Sequence, residues 1–159
     1  MPPYMGGGEM IKDVSFTETT YNDLPYKFEA GTPNIGDVVG FKEAIHYIEK
    51  IGKKKIREYE DDLMKYTNSC LSDIDGLKIF GTSKNKIGIF SFTCENSHFY
   101  DLGLLLDAKG IAVRTGHHCT QPLMNKFNLD GTARLSLALY NTKEEVDFFV
   151  ESLKKIIER

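Results

Sequence analysis

Leu77-Lys78-Ile79-Phe80 is followed, across the polar segment 81–85, by Ile87-Gly88-Ile89-Phe90-Ser91-Phe92. Apolar and aromatic residues alternate or cluster through both runs, which suits the two-residue period of a half-buried strand. Glycine, serine and asparagine between them supply turn chemistry. The pair predicts a β-hairpin. On either side of it the period changes to that of a helix. Val38, Val39, Phe41, Ala44, Ile45 and Ile48 predict one helix, ended by Gly52. Ile56, Tyr59, Leu63, Tyr66, Cys70 and Leu71 predict a second.

Beyond the hairpin, Ser97 is expected to cap a helix carrying Phe99, Leu102, Leu105 and Leu106, with Gly110 at its end. A short strand over Ile111-Ala112-Val113-Arg114 leads into a polar loop, Thr115-Gly116-His117-His118-Cys119, and a short helix follows near 122–127. Arg134 opens a strand over 134–139, and Thr142-Lys143-Glu144-Glu145 is a capping box for a last helix with Val146, Phe149, Val150, Leu153, Ile156 and Ile157 on one face. The order predicts an α+β fold: a small antiparallel (mixed) sheet of about three to four strands, with helices packed on one face.

With 159 residues, 41% hydrophobic and 27% charged, the chain is long enough to bury a core without disulfides or a structural metal. No apolar run approaches the ~20 residues of a membrane span, and the start has no signal-peptide pattern, so a cytoplasmic protein with no membrane partner is expected. The net charge of −3 and a basic run limited to Lys53-Lys54-Lys55 argue against nucleic acid as a partner. Three cysteines, Cys70, Cys94 and Cys119, do not make a secreted disulfide framework. Residues 1–33 are different in kind. They hold four of the five prolines and the triplet Gly6-Gly7-Gly8, yet also Tyr4, Met10, Ile11, Val14, Phe16, Tyr21, Tyr26 and Phe28. That combination predicts an extended head ordered by a surface this chain does not contain, followed by a small α/β domain over 34–159.

The densest chemistry lies in Arg114-Thr115-Gly116-His117-His118-Cys119. A loop at a strand end is held by a rigid base and stays reachable. A cysteine acts as a nucleophile through its thiolate, which neighbouring positive groups favour, and Arg114 with the two histidines offers that surrounding to Cys119 if the loop folds back. The plainer alternative is a small packed cysteine beside surface histidines. A zinc site is the competing chemistry, with His117, His118, Cys119 and either Cys94 or His98 as ligand types. Adjacent residues of an extended loop point apart, so no metal is expected. Arg134 is either a solvated charge or a fork matched to a carboxylate.

Taken together, Pro2-Pro3-Tyr4-Met5-Gly6-Gly7-Gly8-Glu9-Met10-Ile11, Phe28-Glu29-Ala30-Gly31-Thr32-Pro33-Asn34, the loop from Gly110 to Cys119, and Tyr140-Asn141-Thr142 resemble the C-terminal part of SUF-type (group II) cysteine desulfurases, the family that includes selenocysteine lyases. The resemblance runs in unbroken order over essentially the whole chain. It implies the small domain of a fold-type I pyridoxal-phosphate enzyme, working as a homodimer. A loop cysteine attacks the sulfur of L-cysteine, leaving alanine and an enzyme persulfide; selenocysteine is the alternative substrate. A sulfur-acceptor protein of the SUF pathway then carries that sulfur toward iron–sulfur cluster assembly.

The resemblance places the attacking cysteine on Cys119, the substrate carboxylate anchor on Arg134, and further substrate contacts on Arg114 and His118. The cofactor phosphate of the opposite subunit would be met by Thr32 beside Gly31. The family's cofactor-binding lysine belongs to a large N-terminal domain, and no lysine here occupies its motif, so the chain alone is expected to be inactive. Tyr100, in His98-Phe99-Tyr100-Asp101, stands where some members carry a histidine used with zinc-bearing acceptors, which favours an acceptor offering its own cysteine. A stand-alone persulfide carrier or interaction domain is the alternative, and the head argues against it.

Overall fold

The structure is a computed structural model and describes residues 1–83 and 85–158; Lys84, inside the predicted turn, and Arg159 lie outside the described residues. Two compact units are present, Met1–Lys50 and Ile51–Arg159.

In the first unit the head carries secondary structure of its own. Strands β1 (Ile11–Val14) and β2 (Thr19–Tyr21) form an antiparallel hairpin, with Ile11 opposite Tyr21 and Val14 opposite Thr19. The polar stretch between them closes the turn: the Ser15 hydroxyl accepts from the backbone N–H of Thr17 and Glu18, the side-chain turn chemistry serine favours. Single 3₁₀ turns at Gly8–Met10 and Tyr26–Phe28 flank the hairpin. The backbone folds back so closely that the Gly31 N–H donates to the Gly7 carbonyl at 3.1 Å. Helix α1 (Ile35–Ile51) begins at Asn34, whose side chain accepts from the Asp37 N–H. None of its residues is buried, and Val38, Val39, Phe41, Ile45 and Ile48 are exposed. Gly52, at φ 95°, separates α1 from α2 in the left-handed region where glycine alone is unstrained.

The second unit is built on a four-stranded sheet in the order β3-β4-β6-β5, antiparallel throughout: β3 (Leu77–Phe80), β4 (Ile89–Cys94), β5 (Arg114–Gly116) and β6 (Thr132–Ser136). The predicted hairpin is β3–β4, with Ile79 opposite Phe92. Phe90 and Phe92 of β4 pair with Leu135 and Ala133 of β6, and all four are buried on one face. Helices α2 (Lys53–Ser72), α3 (Phe99–Asp107) and α5 (Lys143–Ile157) cover that face with Leu63, Leu71, Leu102, Leu106, Val146, Phe149 and Leu153. Burying each such side chain is worth about 1.5–3 kcal/mol. Helix α4 (Gln121–Phe127) differs, since its Phe127 ring packs 5.6 Å from Phe80, whose cross-strand partner Ser91 shares the second face.

Three sequence expectations are corrected. His98, not Ser97, caps α3, its ring Nδ1 accepting from the Tyr100 N–H. The strand expected over 111–114 begins at Arg114: Ile111 and Val113 turn into the core without ladder bonds, so their apolar spacing is packing rather than pairing. The strand expected over 134–139 starts two residues earlier, and Arg134 sits at its centre. The small residues before Arg134 are what extend the ladder, because a Cβ on Gly131 would lie 2.7 Å from the Phe99 ring and 2.8 Å from the Gly116 backbone.

The capping box at α5 is complete, Thr142 accepting from the Glu145 N–H and Glu145 from the Thr142 N–H. Among the described residues no helix is long and apolar enough to cross a membrane. Thr142→Ala is expected to lower stability by about 1 kcal/mol. Gly131→Ala is expected to cost more, since backbone rather than a flexible side chain blocks the new methyl group. Equilibrium urea unfolding of both variants checks the order.

Candidate active site

The second face of the sheet in the unit Ile51–Arg159 carries the polar chemistry. In a strand, successive side chains alternate between faces. With Ala133 and Leu135 in the core, Thr132 and Arg134 point the other way. The register of β5 on β6 sets Arg114 directly opposite Arg134 and Gly116 opposite Thr132. Two guanidinium groups therefore stand on neighbouring strands of one face, at positions where like charges are unfavourable.

After Gly116 the chain leaves the sheet and His118 and Cys119 are both left-handed, at φ 53° and 59°. The loop is closed locally: the Thr120 N–H and hydroxyl both donate to the His117 carbonyl, at 2.9 and 2.8 Å, and the Cys119 N–H donates to His117 Nδ1 at 3.1 Å. This tight turn presents the Cys119 side chain to solvent. Arg114 Nη2 donates to Cys119 Sγ at 3.5 Å, placing positive charge beside the sulfur. The His118 ring reaches β6, where its Nε2 lies 2.8 Å from the Thr132 hydroxyl.

Among the described residues, two buried polar atoms here have no protein partner, His118 Nδ1 and Arg134 Nε. A buried polar atom left unpaired costs free energy, so each is a place where a water or a ligand supplies the missing partner. Burial, then the neighbouring Arg134 guanidinium, pulls the His118 pKa below its ordinary 6.5. The ring is neutral at neutral pH, and an acceptor placed among these groups meets the guanidinium fork of Arg134.

The structure thus brings together four residues predicted from sequence: Cys119, Arg114, Arg134 and His118. Thr32 and Gly31 belong to the other unit, where Gly31 sits at φ 83° and the exposed Thr32 lies just ahead of the α1 N-terminus. A free hydroxyl beside a helix N-terminus fits a phosphate oxygen. Thr132 went unrecognised in the sequence, although its i, i+2 spacing from Arg134 in a strand would have placed both on one face. Of the other cysteines, Cys70 is half-buried on α2 and Cys94 is buried on β4. Among the described residues no three His, Cys, Asp or Glu side chains gather to hold a metal.

The family described as aminotransferase class-V matches residues 1–149 of the chain. The chain belongs to that family. It is 46% identical over 156 residues to a probable cysteine desulfurase of Xylella fastidiosa (strain 9a5c), a match covering 98% of this chain and 38% of that protein. With the cysteine desulfurase of Escherichia coli (strain K12 / DH10B) the identity is 47% over 157 residues, again covering 98% of this chain and 38% of the relative. The chain therefore spans about two-fifths of the length of the curated relatives it matches.

Among solved structures, the apo cysteine desulfurase of Thermococcus onnurineus NA1 superposes with a TM-score of 0.90 at 37% identity, covering 98% of this chain and 39% of that one. An Escherichia coli cysteine desulfurase in an S-sulfonic acid form also gives 0.90, at 33% identity, covering 99% and 39%. The α+β architecture of this class-V chain is that of cysteine desulfurases over the matched length.

Two outcomes follow from the site's geometry. Iodoacetamide at neutral pH is expected to label Cys119 first and Cys94 last, because burial pushes the Cys94 thiol up to about 11, leaving only about one part in 10⁴ as thiolate at pH 7; peptide mapping by mass spectrometry reads the order. His118 has a folded pKa below its unfolded value, so the stability it contributes is intact above about 6.5 and is lost as pH falls through that value toward the folded pKa. Urea midpoints between pH 7.5 and 5 should decline in the parent and decline less in His118→Gln.

Proposed function

We propose that this class-V chain is the C-terminal part of a SUF-type (group II) cysteine desulfurase, converting L-cysteine to L-alanine and leaving the sulfur as a persulfide on Cys119. The observation that carries the reading is the contact of Arg114 with the exposed Cys119 sulfur, beside an Arg134 whose buried Nε has no partner. Relatives named cysteine desulfurases, similar over nearly all of this chain, support it.

Arg134 binds the substrate carboxylate. Its free Nε is a donor already in place, and a bidentate guanidinium–carboxylate pair fixes orientation as well as position. Arg114, opposite it, shares the anion's field and so relieves the repulsion between the two guanidinium groups. His118, uncharged at neutral pH, walls the site without adding charge. Bound pyridoxal phosphate supplies the electron sink that lets the substrate's carbon–sulfur bond break. Thr32, exposed at the start of α1 in the other unit, is suited to hold a phosphate oxygen of that cofactor in a homodimer.

The Cys119 thiolate attacks the sulfur of the substrate. One sulfur–sulfur bond forms and one carbon–sulfur bond breaks, the carbon gains a proton, and the sum is cysteine plus enzyme thiol giving alanine plus enzyme persulfide. Left-handed backbone at Cys119 holds the thiol out on the turn, where a nucleophile must be to reach substrate and then hand sulfur on. The recipient is a SUF-pathway acceptor protein that offers its own cysteine. Exposed Tyr100, stacked on His98 with centroids 5.7 Å apart, stands where a zinc-bearing acceptor would call for histidine. A cytoplasmic setting goes with this role, and the head over 1–33 is the segment that packs on the large domain and across the dimer.

The test is sulfur transfer in the enzyme that contains this chain. Expressed from its complete reading frame and loaded with pyridoxal phosphate, the protein is expected to release alanine from L-cysteine, with mass spectrometry finding one added sulfur on the Cys119 peptide. Cys119→Ser should abolish the persulfide and lower turnover of L-cysteine at least about 100-fold, as loss of a nucleophile does. Arg134→Ala should act mainly on KM, by about 10- to 100-fold, the worth of a charged hydrogen bond. Alanine formation unchanged in Cys119→Ser would sink the assignment.

A further inference from the structure

The His118-Cys119 pair has consecutive left-handed residues, neither of them glycine, and such backbone persists only where surrounding structure holds it. Most of the bonds that hold it are internal to the loop. The Thr120 and Cys119 bonds all end on His117, so they shape the turn without fixing where it stands on the sheet. Among the described residues two hydrogen bonds reach from 117–119 to the strands. One is the long contact from Arg114 to the Cys119 sulfur, at 3.5 Å. The other, at 2.8 Å, joins His118 Nε2 to the hydroxyl of Thr132, which is fully buried on β6.

Thr132 and Arg134 are two residues apart on the same strand and the same face. A strand is the stiffest spacer available at that length, rising about 6.6–6.8 Å over two residues. The bond from His118 to Thr132 therefore ties the nucleophile's loop to the strand that carries the carboxylate anchor. Without it, the loop would keep its internal shape while its position relative to Arg134 relaxed.

We propose that Thr132 is a positioning residue: its hydroxyl clamps the His118 ring and so sets where the Cys119 thiol stands with respect to the Arg114–Arg134 pair. This rests on the carboxylate-anchor reading given above. Thr132 touches no reacting atom and acts through His118. Valine at this position has nearly the same shape and no hydroxyl, so it removes the clamp while keeping the volume. Serine keeps the hydroxyl.

The experiment is alkylation of Cys119 on the 159-residue chain, with rate constants for iodoacetate and iodoacetamide and the labelled peptide identified by mass spectrometry. The two reagents are alike except that iodoacetate carries the carboxylate the arginine pair would attract. In the parent, the iodoacetate-to-iodoacetamide rate ratio at Cys119 is expected to exceed that of glutathione. Thr132→Val should lower this ratio by about three- to tenfold, the equilibrium worth of one hydrogen bond, and Thr132→Ser should restore it. A merely structural role would change both rates together and leave the ratio alone.

A folded Thr132→Val variant with the parent's ratio overturns the proposal, whether both rates stay the same or change together. Should Thr132→Val not fold, His118→Phe, which keeps a ring but has no nitrogen, breaks the same tie from the loop side: a lowered ratio there supports the clamp, and an unchanged one overturns it. A parent with no preference for iodoacetate overturns the anchor reading instead. The clamp is then decided by the iodoacetamide rate alone, altered in Thr132→Val and restored in Thr132→Ser if it holds, unchanged if it does not.

Discussion

The register of β5 on β6 sets Arg114 against Arg134, and the candidate site, with the function proposed for it, depends on that pairing. Like charges at directly opposed positions cost about 0.2–1 kcal/mol, so the strands would not choose this register for its own sake. What enforces it lies behind the sheet. Phe90, Phe92, Ala133 and Leu135 fill the opposite face, and burying each large side chain is worth about 1.5–3 kcal/mol. Slipping β6 by one residue would turn Leu135 to solvent and Arg134 into the core. The core therefore dictates where the guanidinium groups stand, and under the proposed function the substrate carboxylate relieves the repulsion between them. Gly116 and Gly131 make the arrangement possible, since a methyl group on Gly131 would collide with the Gly116 backbone.

One sheet thus divides its labour by face. The side covered by α2, α3 and α5 is packed, and the side carrying Thr132, Arg134 and Arg114 is where buried polar atoms lack partners. The loop that follows β5 stores strain, about 1–3 kcal/mol for each left-handed residue that is not glycine. A stable base is what lets such a loop exist. The same division explains the contrast among cysteines: Cys94 ends β4 facing the core, where burial pushes its thiol up to about 11, while Cys119 stands on the turn in solvent beside Arg114.

Elements whose signal is local were legible in the sequence. The β3–β4 hairpin follows from apolar alternation around turn residues, and α5 from a capping box that the structure completes on both sides. That Arg114, His118 and Cys119 would lie together in one candidate site was legible too, because they are neighbours along the chain. What was not legible depends on contacts between distant segments. Ile111 and Val113 alternate like a strand but their side chains pack into the core with no ladder bonds. The start of β6 at Thr132 follows from how closely Gly131 approaches Gly116, which no one-dimensional pattern reports. Thr132 was hidden for the same reason: its meaning comes from a partner 14 residues away. His98 displaced Ser97 as a cap because an imidazole nitrogen can accept the Tyr100 N–H as a serine oxygen would.

Helix α1 poses the opposite case to the sheet. It is 17 residues long and buries none of them, although Val38, Val39, Phe41, Ile45 and Ile48 are all exposed. A helix of that length is marginal on propensity alone, and most helical stability comes from packing an apolar face. A run of exposed apolar side chains of this size is a surface made to be covered. The chain spans about two-fifths of its relatives' length, so under the proposed reading that cover belongs to the large domain or to a second subunit. The sheet needs no such help, because α2, α3 and α5 already close its core. Cys119, Arg114, His118, Thr132 and Arg134 all stand on the unit with the closed core, and Thr32 stands on the unit with the open face. Under the proposed function, substrate grip and sulfur transfer would therefore be built into a part that holds its own shape, whereas the cofactor's phosphate contact would be built into a part that needs a partner to be in place.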